Sequence, residues 1–386
     1  MKKRNIMKTL FAGTMTLGMA LSISPAFATG NNPVWDEGDT PNVVITKNLN
    51  VAADAITFAD MPFTFHFNLT DDTVAAELDN DLKSFTATAT IKDNDTDTGV
   101  ITSTTENVLN DKIFPAAGVY TYKVTEDQTG DKGDGAYGLT CSDAEYEMKV
   151  YVKNGTNGTY VYSVTVLPVK NDNGQGIDNA QKVDPTPDQS DGTSNFVFTN
   201  SFTKKAGGDE ADAKSLTITK NVAGDYGDKT RQFQFTVSIN LPSYVDSSNG
   251  YVGMVGDTTY TFNSANNFTC NNVMLADGDV LEFSDLPAGT KYSVTEAGTE
   301  NYTPSASIIE NGKSPTSENA NKGEGLTVTN KLVGEKANST TFTNTHNVDS
   351  ITPTGIIINN LPFVLMVVVA GSGLALYVVS KRRSHQ

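Results

Sequence analysis

Of 386 residues only two are cysteine, Cys141 and Cys270, and only one is tryptophan, Trp35. Two cysteines exclude a disulfide framework. One bridge between them or two buried thiols remains, and the tendency of unpaired cysteine to act as a small core hydrophobe favours the thiols. Histidine is equally scarce. His66, His346 and His385 have no companions at metal-ligand or triad spacing, so neither a metal centre nor Ser-His-Asp chemistry is expected. Basic residues number 28 against 45 acidic ones, a net charge of −17, which excludes a phosphate-binding surface and hence a nucleic-acid partner. No glycine-rich phosphate loop occurs, and no cofactor is expected.

What the chain has is Thr, Val, Tyr and Phe in short alternating runs, punctuated by Gly and Asn, with long apolar runs confined to its two ends. The first begins after Lys2, Lys3, Arg4 and Lys8 and closes on Ala26-Phe27-Ala28, the pattern of a secretory signal peptide over residues 1–28. The second, Leu361 to Val379, is long enough to span a bilayer and is followed by Lys381-Arg382-Arg383. The chain is therefore expected to be exported and first held by its C-terminal end.

Between these ends, residues 29–41 read as a flexible polar segment, 42–202 as one strand-rich domain, 203–214 as a linker around Gly207-Gly208, 215–347 as a second strand-rich domain and 348–386 as the C-terminal signal. The domains are related by an internal repeat. Ile45-Thr46-Lys47-Asn48 matches Ile218-Thr219-Lys220-Asn221, the run Phe63 to Leu69 parallels Phe233 to Ile239, and Val-Thr-Glu ends at both Glu126 and Glu296. Phe-Thr precedes both Asn200 and Asn344. Short alternating segments without long amphipathic helices predict an all-β chain of two tandem Ig-like β-sandwiches. The wider spacing between Glu126 and Asn200 puts extra loop material in the first, at Asn171 to Ser194.

Each half sets three polar residues into apolar strand faces: Lys47, Glu126 and Asn200, then Lys220, Glu296 and Asn344. A lysine among Phe, Val and Ile loses the hydration that stabilises its ammonium, and the same surroundings raise a glutamate. The neutral amine becomes a nucleophile, and the protonated carboxyl donates to the Asn carbonyl and shuttles protons. Displacement of ammonia would leave a Lys47–Asn200 bond in one domain and a Lys220–Asn344 bond in the other, with Glu126 and Glu296 promoting them. The competing reading is a buried Lys–Glu ion pair with Asn alongside; its occurrence twice in phase favours the bond. Asn330, also on an apolar phase, is the alternative to Asn344.

With these motifs the chain resembles the sortase-assembled backbone (major) pilins of Gram-positive bacteria, of the streptococcal type that forms Lys–Asn isopeptide bonds. The second domain, with Asp285-Leu286-Pro287-Ala288-Gly289 leading into Tyr292, is also similar to collagen-adhesin B-type (CnaB-related) repeats. The order Ile351-Thr352-Pro353-Thr354-Gly355, apolar span and basic end resembles a sorting signal cut by a sortase between Thr354 and Gly355. The resemblance implies a pilus subunit whose Thr354 carbonyl passes to a lysine of the next identical subunit. Lys182 is the first candidate and Lys170 the second. Implied partners are the sortase, identical subunits, and further minor pilins and peptidoglycan, with membrane contact only before cleavage. The implied location is the cell surface and wall. Such a chain is not expected to be an enzyme; a monomeric wall-anchored adhesin is the alternative. Asp93, Asp95 and Asp97 resemble the start of a calcium loop, but Thr98 and Thr104 replace its Gly and Glu, so a hairpin turn is expected.

Overall fold

A computed structural model describes residues 33–70, 78–92, 99–128, 138–208, 213–248, 250–347, 365–370 and 372–374. The expected signal peptide, the turn at Asp93 to Asp97, Thr354 and Gly355, and most of the 361–379 span lie outside them. No helix among the described residues is long and apolar enough to cross a membrane.

The chain is all-β. In the first unit one sheet runs, edge to edge, β3 (Ser84–Ile91), β2 (Met61–Leu69), β5 (Gly118–Glu126), β7 (Glu145–Gly155) and β8 (Gly158–Lys170). Its partner sheet runs β4 (Val100–Thr104), β1 (Thr46–Asn50), β9 (Val197–Thr203) and β6 (Gly138–Thr140). In the second unit the smaller sheet is β14 (Thr269–Leu275), β11 (Phe233–Asn240), β16 (Lys291–Glu296) and β19 (Leu326–Leu332). The larger is β13 (Thr258–Phe262), β12 (Tyr251–Val255), β15 (Val280–Phe283), β10 (Leu216–Ala223), β20 (Ser339–Thr345), β17 (Thr303–Ile309) and β18 (Thr316–Asn319).

Strand alternation accounts for the cores. Phe63, Phe65 and Phe67 are buried while Thr64 and His66 are only half-buried, and Phe233, Phe235 and Val237 repeat the pattern. Across the sandwich Phe65 meets Phe198 with ring centroids 4.9 Å apart, and Phe235 meets Phe342 at 5.2 Å. Such aromatic pairs stabilise by about 1 kcal/mol beyond their buried area. Ladders among the described strands are antiparallel except two: β1 pairs parallel with β9, and β10 parallel with β20. First and last strands of each unit thus lie side by side and run the same way.

That direction orders the loops at the strand ends. The loop holding Lys182 lies where β1 and β9 begin, since Val44 N–H donates to Pro185 O (3.0 Å). At the other end of β9 the chain enters the second unit, where Ala206 N–H donates to Leu286 O and Ala288 N–H to Lys204 O. β10 and β20 then run away from this junction, and the chain leaves past His346, whose N–H donates to Ala223 O.

Two segments differ from expectation. Residues 33–41 are not loose: Val34 bridges to Ser163, Trp35 N–H donates to Tyr162 O, and Glu37 Oε1 accepts from Thr156 and Asn157 N–H in the β7–β8 turn. β8 is an edge strand, and its unpaired backbone groups recruit the segment. The expected linker is likewise structured over 203–208, where Lys205 bridges to Pro287. Cys141 is buried and Cys270 half-buried, and no disulfide joins them.

Candidate crosslinking sites

Each site is assembled from three strands in two sheets. Lys47 is registered opposite Phe198 in the parallel β1–β9 ladder, and Asn200 lies two residues on, so both side chains enter the core from the same face. The second unit repeats the register, with Lys220 opposite Phe342 and Asn344 two residues on. The glutamates come from the facing sheet, where Glu126 is registered opposite Phe65 and Glu296 opposite Phe235.

In the first site Lys47 Nζ donates to Glu126 Oε2 (2.6 Å) and Asn200 Nδ2 donates to Glu126 Oε1 (2.5 Å). In the second, Lys220 Nζ lies 3.0 Å from Glu296 Oε1, without hydrogen-bond alignment, and Asn344 Nδ2 donates to the same oxygen (2.9 Å). Both lysines have no exposed surface. Each lysine Nζ sits over a ring of the facing sheet, Lys47 4.5 Å from the Phe63 centroid and Lys220 4.2 Å from that of Phe233. These phenylalanines complete the sites; their matching places in the repeat are the sequence signal for them.

Burial pushes both lysines below the ordinary lysine range, against the opposing pull of their glutamates. It pushes both glutamates above the carboxylate range, against the pull of the lysines. Moving one proton from Nζ to the carboxylate removes both charges from an apolar site and leaves a free lone pair on nitrogen beside a carboxamide. One detail departs from expectation. The glutamate contacts the Asn amide nitrogen, not its carbonyl oxygen, and in the first site that oxygen accepts instead from Ser142 N–H (2.7 Å). A backbone donor leaves no mark in sequence alternation.

Asn330 does not compete with Asn344. It is exposed, with φ 52°, where the β16–β19 register slips, so the Leu326-Val328 phase breaks before reaching it. Lys182 is exposed near the start of β9, whereas Lys170 is held by Glu145 Oε2 at 3.0 Å. No group of three His, Cys, Asp or Glu among the described residues is placed to hold a metal ion.

Residues 43–203 match the family model of the Spy0128-like isopeptide containing domain, and residues 214–346 match one described as a domain of unknown function, DUF7601. The chain is 26% identical over 353 residues to a pilin of Streptococcus pyogenes serotype M1, covering 89% of this chain and 91% of that protein. A stretch of 107 residues is 34% identical to the pilus tip adhesin Cpa of Streptococcus pyogenes, 28% of this chain and 14% of the adhesin. Among solved structures, the major pilin of Streptococcus pyogenes aligns with 80% of this chain and 100% of its own at 19% identity, with a TM-score of 0.34.

Proposed function

The chain carries a Spy0128-like isopeptide domain over residues 43–203 and resembles streptococcal pilins, and from that premise we propose that it is a structural pilus subunit, braced internally by Lys47–Asn200 and Lys220–Asn344 bonds. The observation that carries this reading is the shared register. Two units place Lys, Glu and Asn in the same relation on the first, last and facing strands, all buried. An ion pair needs no such pairing with a carboxamide, and burying one without further partners costs several kcal/mol. In the reaction the neutral Nζ attacks the Asn Cγ, the Glu gives its proton to Nδ2 and takes one from Nζ, and ammonia leaves. The domains would span 42–202 and 215–347.

Assembly follows from the tail. A sortase would cleave after Thr354 and pass its carbonyl to Lys182 of an identical subunit, then finally to wall peptidoglycan. Lys182 is the better acceptor because Lys170 would first have to leave Glu145. Its loop lies where β1 and β9 begin and the chain exits where β10 and β20 end, which suits head-to-tail joining.

The deciding experiment is intact-mass measurement of the segment Thr29 to Thr354. The expected mass is short by one ammonia per domain, with one deficit lost in Lys47→Ala and the other in Lys220→Ala. A mass equal to that of the sequence would exclude the bonds. The stretch shared with a tip adhesin keeps a wall-anchored adhesin as the second reading. Detergent-resistant ladders on cells favour the polymer, and a single band favours the adhesin.

A further inference from the structure

The two sites differ at the carboxamide oxygen, the atom on which negative charge would gather during the reaction. In the first site Asn200 Oδ1 accepts the Ser142 N–H at 2.7 Å, both residues being buried. In the second no donor among the described residues reaches Asn344 Oδ1, and Glu296 Oε2 and Lys220 Nζ are also without aligned partners among them. The flanking strands explain the contrast. β6 flanks β9, with Thr140 opposite Ser201, and the chain just beyond it carries Ser142 alongside Asn200. In the second unit β17 flanks β20, and the residue directly opposite Asn344 is Pro304, which has no N–H.

The Ser142 amide is fixed from several directions. Its carbonyl accepts from Gln128 Nε2 (2.7 Å), and its hydroxyl donates to Asp172 Oδ1 (2.5 Å) while accepting from Ala144 N–H (3.1 Å). Asp172 Oδ1 also accepts the N–H of Thr199 (2.9 Å), the residue before Asn200, so donor and acceptor hang from one carboxylate. A preorganised donor of this kind has no reorganisation to undergo when charge develops.

Resting on the crosslink reading above, we infer that Ser142 N–H is an oxyanion donor for the Lys47–Asn200 condensation and that the second site works without a protein counterpart, so that the first bond forms ahead of the second. As Nζ bonds to Cγ, the carbonyl π pair moves onto Oδ1 and is held there by the amide. It returns as the Cγ–Nδ2 bond breaks: Glu126 gives its proton to Nδ2 and takes one from Nζ, and ammonia departs.

The test is cell-free synthesis of the segment Thr29 to Thr354, quenched in denaturant at intervals, with each crosslinked peptide quantified by mass spectrometry. In the unaltered chain the Lys47–Asn200 peptide should appear first. Ser142→Ala, which keeps the N–H but loses the hydroxyl bonds to Asp172 and Ala144, should slow the first bond by less than Ser142→Pro does. Ser142→Pro, which removes it, should slow the first bond on the order of 100-fold and leave the second unchanged. Equal rates for the two bonds, a faster second bond, or a Ser142→Pro rate matching Ser142→Ala would overturn the inference and leave the crosslinks standing. Absence of both bonds overturns the crosslink reading and this inference together. The order in the unaltered chain decides if Ser142→Pro does not fold.

Discussion

Lys47 and Lys220 have no exposed surface, and each forms an ion pair with a glutamate, Glu126 or Glu296. Removing that carboxylate tests what burial does to the amine. Glu126→Ala should retain the full mass of the first domain and lose about 5 kcal/mol of its stability, the scale expected for opening a closure of roughly 150 residues. The remaining lysine would lie further below its ordinary value of 10.5, because the main pull opposing burial, that of Glu126, would be gone. The unfolded chain then binds more protons between that depressed value and 10.5, so stability should rise with pH across this window. Urea unfolding of Glu126→Ala at several alkaline pH values measures the slope; a flat or falling profile would show that the amine is not buried in the variant. Both lysines, both glutamates and both asparagines are legible in the sequence because strand alternation marks their phase. Ser142 is not, since its contribution is a backbone N–H placed by Gln128 and Asp172.

At the level of elements, the sites depend on the parallel register that puts Asn200 two residues beyond the partner of Lys47. Deleting Thr199 should turn Asn200 to the other face and abolish the first ammonia loss while the second persists, as intact mass would report. In the second unit Asn344→Ala should remove the deficit and Asn330→Ala should leave it, because Asn330 is exposed on β19. The Asn330 reading fails for a local reason: alternation counts residues, and a left-handed residue at a register slip breaks the count. The adjacency of first and last strands is only conditional in the sequence. No short-range pattern specifies which strands pair across more than a hundred residues, and here the repeated Lys and Asn are themselves the best indication of it.

On the scale of the whole molecule, the junction between units is fastened by Glu335. Its carboxylate accepts from Thr57 Oγ1 (2.5 Å) and pairs with Lys204 Nζ (3.1 Å), and its N–H donates to Ala55 O. Alongside, Gly289 at φ 93° brings its backbone so near Ala52 that a Cβ would sit 2.4 Å from the alanine methyl. Burial raises the Glu335 carboxyl, but Thr57 and Lys204 outweigh it and hold the group below its ordinary 4.5. Its contribution is therefore complete above pH 4.5 and fades as pH falls through the depressed value. Small-angle scattering should show the units loosening in acid, and Glu335→Gln should bring the same change to neutral pH; identical profiles would remove Glu335 from that role. The Gly-Gly stretch reads as a linker because composition does not reveal that its first residues dock on 286–288. The paired strands also govern how a fibre would carry tension. If Lys182 receives the neighbouring subunit, pull enters next to β9, runs down it into β10, crosses from Lys220 to Asn344 and leaves by the tail. The second bond would then short-circuit its unit, while the first lies off the path and only secures what hangs beside it. A single chain pulled from Lys182 should lengthen by roughly 400 Å in Lys220→Ala, the span of about 120 released residues, and hardly at all in Lys47→Ala.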